Sequence, residues 1–137
     1  MTTRELTPEI ERALWIAAEE AAVRAYAPYS DFHVGAALLT SEGNIVSGCN
    51  VENASYGLTN CAERTAVFRA IAEGKLSRGA AIAAIAVVHR DRQSCTPCGA
   101  CRQVLSEFGL NAVVLYEFDG ERRRTTVSAL LPESFQL

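Results

Sequence analysis

Two short segments lie far apart in the chain, Asn60-Cys61-Ala62-Glu63-Arg64 and Pro97-Cys98-Gly99-Ala100-Cys101-Arg102, and between them they carry three thiols and one carboxylate. A fold that puts these groups to use must bring the two segments together. Cys98 and Cys101 are three apart, so in the first turn of a helix both sulfurs face the same way and can grip one ion. Zinc accepts a thiolate at about 2.3 Å, and a catalytic zinc centre takes three protein ligands and leaves the fourth tetrahedral position open. Cys61, at a second helix start, supplies the third thiol. Glu63, two residues on, is a carboxylate suited to moving protons at such a centre. Two helix N-termini aimed at one ion add partial positive charge that helps to hold thiolates. Three thiolates still outweigh a dication by one charge, which makes the metal a poorer Lewis acid. A donor that draws electron density off sulfur is therefore expected, and Arg64 and Arg102 are the candidates.

A chain of 137 residues, 49% of them hydrophobic, is long enough for one full core, so residues 1–137 read as a single globular domain. Thirteen Lys and Arg against sixteen Asp and Glu give a net charge of −3, so nucleic acid is not expected as a partner. The one basic run, Arg122-Arg123-Arg124, reads as the solvated tip of a hairpin after the Asp119-Gly120 turn. Met1-Thr2-Thr3-Arg4-Glu5 lacks the apolar stretch of a leader, and no apolar run approaches the ~20 residues of a membrane span. The expectation is a cytoplasmic protein that does not associate with membranes. Five cysteines, three at ligand spacing, suit a reducing compartment better than a disulfide framework.

In chain order, Thr7-Pro8 is a cap residue followed by a proline that a helix tolerates in its first position. Ile10, Leu14, Ala17, Ala18, Ala21, Ala22 and Ala25 form the inner stripe of the helix that follows, which Ala27-Pro28-Tyr29-Ser30 ends. Val34–Thr40 and Ile45–Val51 read as a β-hairpin around Ser41-Glu42-Gly43-Asn44. Asn60 with Glu63 predicts a capping box and a helix ending near Gly74. Ala81–Val88 is nearly all apolar, a strand covered on both faces. Pro97 opens a third helix that runs to about Phe108. Strands at Ala112–Tyr116 and Thr125–Val127 and a short terminal helix complete a three-layer α/β/α domain with a central mixed sheet.

Other readings of the cysteines remain open at this level. A closed structural zinc module needs a fourth protein ligand, for which Cys95 is the best placed, ahead of Cys49, His33 and His89. A dithiol redox motif at Cys98 and Cys101 leaves Cys61 and Glu63 unexplained. Cys49 reads as packing, Cys95 as a spare thiol near the site, and His33 and His89 as structural or solvent-facing.

The chain resembles the cytidine deaminase family in its small, three-cysteine form. The resemblance rests on Pro28-Tyr29-Ser30, Phe32 with Val34-Gly35-Ala36-Ala37, Asn50-Val51-Glu52-Asn53-Ala54-Ser55-Tyr56, Cys61-Ala62-Glu63-Arg64, Pro97-Cys98-Gly99-Ala100-Cys101-Arg102-Gln103, and Leu130-Leu131-Pro132 with Phe135. It implies zinc-dependent deamination of cytidine and deoxycytidine to uridine and deoxyuridine plus ammonia, in nucleoside salvage. It also implies zinc on Cys61, Cys98 and Cys101, Glu63 as proton shuttle, and Arg64 donating to the thiolates. Asn50 and Glu52 would meet the ribose, Phe32 would pack on the nucleoside, and the Ala62 N–H would bind the pyrimidine carbonyl. Phe135 would reach the pyrimidine from another subunit of a homotetramer. The blasticidin S deaminase group shares the cysteine segments but departs from this pattern at Phe32–Ala37 and Asn50–Ser55. Polynucleotide deaminases fit less well, because this ligand set lacks His and no basic surface is evident.

Overall fold

The computed structural model describes residues 5–137; residues 1–4, where the sequence suggests no leader, lie outside the described residues. Thr7 Oγ1 accepts from the Ile10 N–H at 3.2 Å, and Pro8 takes the first position of helix α1, Pro8–Val23. The other elements are β1 (Val34–Thr40), β2 (Ile45–Cys49), α2 (Ala62–Ala72), β3 (Ile82–His89), α3 (Gly99–Gly109), β4 (Val113–Phe118), β5 (Glu121–Thr126) and α4 (Val127–Leu130). The five strands form one mixed sheet in the order β2-β1-β3-β4-β5, in which only β3 and β4 run parallel.

Alternation along the central strands sends side chains to two separate cores, which is what makes the domain three-layered. Ala37 and Leu39 of β1 with Ala84, Ala86 and Val88 of β3 pack against Leu14, Trp15, Ala18 and Ala22 of α1. Ala36 and Leu38 with Ile85 and Val87 pack on the opposite face against Ala62, Ala66, Val67 and Ala70 of α2 and Leu105 of α3. Coverage on both faces is why β3 reads as a continuous apolar run rather than an alternating one. Glycines let the helices sit close. A Cβ on Gly35 would lie 2.0 Å from the Ala18 carbonyl oxygen, and one on Gly48 would lie 2.4 Å from the Ala66 nitrogen. The loop leaving the carboxyl end of β3 feeds α3, and α2 docks beside it on the same face. The starts of α2 and α3 are thereby brought together at one end of the sheet, the end where ligand sites of open α/β sheets lie.

Four local expectations change. The capping box at Asn60 and Glu63 does not form: Cys61 is the N-cap of α2 and makes no side-chain cap bond, while Asn60 Nδ2 donates to Thr65 Oγ1 at 3.0 Å. Likewise α3 starts at Gly99 with Cys98 as N-cap, not at Pro97. Strand β2 stops at Cys49, and Val51 instead bridges Tyr26 and Asn60. Arg122, Arg123 and Arg124 belong to strand β5, and the hairpin tip is Asp119-Gly120, both at positive φ. The arginines are engaged there. Arg122 lies over Trp15 and meets Glu19 at 3.0 Å, and Arg124 meets Glu11 at 3.2 Å, because β5 runs alongside the acidic outer surface of α1. Charges along this edge strand also discourage pairing with another sheet.

Candidate metal and substrate site

Cys61 and Cys98, as N-caps of α2 and α3, leave their sulfurs unspent on capping and turn them toward Cys101. The three Sγ atoms lie within 4.8 Å of one another, with Cys61–Cys98 at 3.8 Å and Cys98–Cys101 at 3.5 Å. A tetrahedral ion with sulfur ligands at about 2.3 Å sets its sulfurs about 3.8 Å apart, so the spacing fits zinc and is far too long for a disulfide. Among the described residues no fourth His, Cys, Asp or Glu joins the cluster. Cys95, the strongest candidate for a closed structural site, is buried in the hydrophobic core, where burial pushes its thiol up to about 12. Its sulfur is not part of the cluster of three.

Electrostatics across the cluster are uneven. Arg64 Nη2 donates to Cys61 Sγ at 3.2 Å. Hydrogen bonding from Cys101, with Arg64 and Cys98 adding to it, brings the Cys61 thiol down to about 5 against the cost of its burial. The Cys101 thiol moves in the opposite direction, chiefly through that same bond with Cys61 and then through burial. The Arg64 guanidinium favours a thiolate at Cys61, and a dication would favour ionisation of all three. Arg102, the other cation expected at the sulfurs, serves elsewhere: its Nε donates to the Pro97 carbonyl at 2.7 Å and its Nη1 to the Leu130 carbonyl at 3.1 Å. Those bonds tie the segment before α3 to the C-terminal α4.

Glu63 is buried, 4% exposed, on the first turn of α2. Burial pushes its carboxyl up to about 7, opposed by a bond from its own backbone N–H and by Arg64, and assisted by charge on Cys61. A carboxyl in that range accepts and returns protons near neutral pH. Ala62 is fully buried beside it, and as the first residue of α2 its N–H has no acceptor within the helix.

Asn50 and Glu52 lie just past the end of β2, and both reach to the segment 29–34. Asn50 Oδ1 accepts from the Val34 N–H and its Nδ2 donates to the Phe32 carbonyl, each at 2.8 Å. Glu52 Oε1 accepts from the Tyr29 N–H at 2.9 Å and the Ser30 N–H at 3.2 Å, and Oε2 accepts from the Ser30 hydroxyl. The Ser30 hydroxyl, with both N–H groups assisting, holds the Glu52 carboxyl below the usual range against a burial effect. Ser30 Oγ also accepts from the Phe32 N–H at 3.0 Å. Ser30 and Tyr29 are thus site-shaping residues whose part the sequence did not disclose, since hydroxyls and N–H groups in a polar loop carry no partner signal. Phe135 stands apart, 70% exposed near the chain end.

Fold and cluster together define an α/β/α domain with a three-cysteine cluster suited to zinc and a buried carboxyl on the same helix start as Cys61. Residues 8–117 match the family model described as the cytidine and deoxycytidylate deaminase zinc-binding region. The chain is 51% identical over 113 residues to a cytidine deaminase of Halalkalibacterium halodurans, covering 81% of this chain and 83% of that one. It is 49% identical over 119 residues to a cytidine deaminase of Sporosarcina psychrophila, covering 85% of each. The crystal structure of cytidine deaminase from Burkholderia pseudomallei superposes with a TM-score of 0.83 at 50% identity, over 95% of this chain and 100% of that one. The protein belongs to the cytidine and deoxycytidylate deaminase family.

Proposed function

We propose that this protein is a zinc-dependent hydrolase that converts cytidine and deoxycytidine to uridine and deoxyuridine with release of ammonia, in pyrimidine nucleoside salvage. The convergence of three unspent thiols on one point beside the buried Glu63 carboxyl carries this reading. Cys61, Cys98 and Cys101 would hold zinc, which would supply the Lewis acidity that makes a water acidic enough to attack at neutral pH. Glu63 takes a proton from the attacking water and delivers it to N3 of the base, then takes the second proton from the new C4 hydroxyl and passes it to the amine, which leaves C4 as ammonia while the carbonyl forms. The Ala62 N–H holds the pyrimidine carbonyl. Phe32 forms one wall of the nucleoside site, and Asn50 and Glu52 fix that wall while offering their remaining hydrogen-bonding capacity to the ribose.

In this reading residues 1–137 act as one catalytic domain of a cytoplasmic homotetramer that engages neither nucleic acid nor membrane. No helix among the described residues is long and apolar enough to cross a membrane. The exposure of Phe135 supports a shared site: α4 is anchored through Arg102 and Leu130, but the aromatic ring five residues later meets no core. Incubating the purified protein with cytidine and following uridine and ammonia tests the activity. Absence of both products, or conversion of blasticidin S alone, overturns it.

Two further results are expected. Arg64→Ala lowers kcat/KM for cytidine by about 10- to 100-fold, the range of a charge-assisted hydrogen bond, while zinc content changes little. Unchanged kinetics would make Arg64 a bystander. Mixing an inactive Glu63→Gln chain with a Phe135→Ala chain under subunit exchange raises activity above either parent, because some sites then combine an intact Glu63 with a neighbour's Phe135. No gain despite demonstrated exchange, or a fully active monomer by light scattering, rules the shared site out.

A further inference from the structure

His89 ends β3, and strand alternation after Ile85 and Val87 puts it on the α2 and α3 face of the sheet, the face that carries the cysteine cluster. It pairs with Val34 across β1, and Asn50 bonds to Val34 from the other side, so the three residues form a row beneath the segment that presents Phe32. The backbone of Phe32 is held by Asn50 and Ser30. Its ring packs against His89, with centroids 4.4 Å apart and planes at 53°. Phe32 is 38% exposed whereas His89 is 2% exposed, so His89 backs the ring and the remaining surface of Phe32 is left for a ligand.

The imidazole is fixed in rotation. Its Nδ1 accepts from the Asp91 N–H at 2.9 Å, so the hydrogen of the neutral ring sits on Nε2. Nε2 is buried and has no hydrogen-bond partner among the described residues. An unpaired buried donor costs stability that a hydrocarbon side chain would not. The flat ring, anchored through Nδ1, is what this histidine contributes in return.

We propose that His89 is a positioning residue for the nucleoside site, acting through Phe32. The proposal rests on the reading above that Phe32 packs against the substrate. The test uses zinc-loaded protein carrying His89→Leu, which keeps burial and removes the flat ring, or His89→Phe, which keeps a ring and removes both Nε2–H and the Nδ1 acceptor. Readouts are kcat and KM for cytidine, the Kd for uridine by calorimetry, and Tm. His89→Leu raises KM and the uridine Kd by about 3- to 10-fold, the range an aromatic pair contributes. It leaves kcat within about twofold, as expected for a residue that acts on binding alone. His89→Phe stays within about twofold in all three constants, and this arm stands by itself if His89→Leu does not fold. In the Phe32→Leu background, His89→Leu adds no further loss. Unchanged constants in His89→Leu, additive losses in the double variant, or a loss in His89→Phe as large as in His89→Leu each overturn the proposal. The last of these would make the ring nitrogens, not the ring face, what His89 contributes. Wild-type protein that neither turns over cytidine nor binds uridine overturns the underlying functional reading instead.

Discussion

Glu63→Gln protein keeps its zinc and its fold but loses at least about 10²–10⁴-fold of its cytidine turnover, the usual contribution of one general acid–base group. The loss goes beyond that range if one carboxyl takes and returns both protons. Gln preserves the shape and the acceptor oxygen of Glu63, so the buried first turn of α2 is undisturbed. It also removes a carboxyl whose burial raises its pKa to about 7, leaving no group that both takes and returns a proton. Turnover by stopped assay, with zinc by atomic absorption on the same sample, separates the two effects. Near-wild-type turnover with zinc in place would remove Glu63 from the mechanism.

Removing a sulfur acts on the metal itself. Cys61→Ser, Cys98→Ser and Cys101→Ser each reduce zinc from about one per chain to a small fraction and abolish activity, whereas Cys49→Ser and Cys95→Ser keep both. Cys61→Ser also leaves Arg64 without the sulfur it donates to, so it breaks the charge-assisted bond as well as the ligand set. Cys95 is the informative control, since Cys95-Thr96-Pro97-Cys98 is itself a C-x-x-C while its sulfur lies outside the cluster of three. Zinc measured per chain after exhaustive dialysis decides the matter. Loss of metal from Cys95→Ser with retention in Cys61→Ser would point to a different, structural ion site.

Asn50 and Glu52 illustrate how far sequence reaches. They are two apart in sequence, and in the structure both bond to the backbone of residues 29–34. Arg64 and Arg102 make the same point. Arg64 is one helical turn from Cys61, so local geometry alone delivers its guanidinium to the sulfur. Arg102 follows Cys98 by four residues, also about one helical turn, yet it turns to Pro97 and Leu130, where α4 packs against α3.

The sequence by itself determined the elements whose signal is contained in a few neighbouring residues. Thr7-Pro8 starts α1, Val34–Thr40 bounds β1, the apolar run forms a strand buried on both faces, and the spacing of Cys98 and Cys101 sets two sulfurs side by side. Backbone sterics, the period of a helix or strand and ligand geometry act over that range, so residue order suffices. Only the tertiary structure decided what the long polar side chains bind: Asn50 and Glu52 bracing Phe32, Arg122 lying over Trp15, Arg102 reaching α4, and His89 packing under an aromatic ring. Each has several partners of similar intrinsic strength, and the choice is made when the packing of two cores against one sheet brings one partner within reach and leaves the others several residues or a whole layer away.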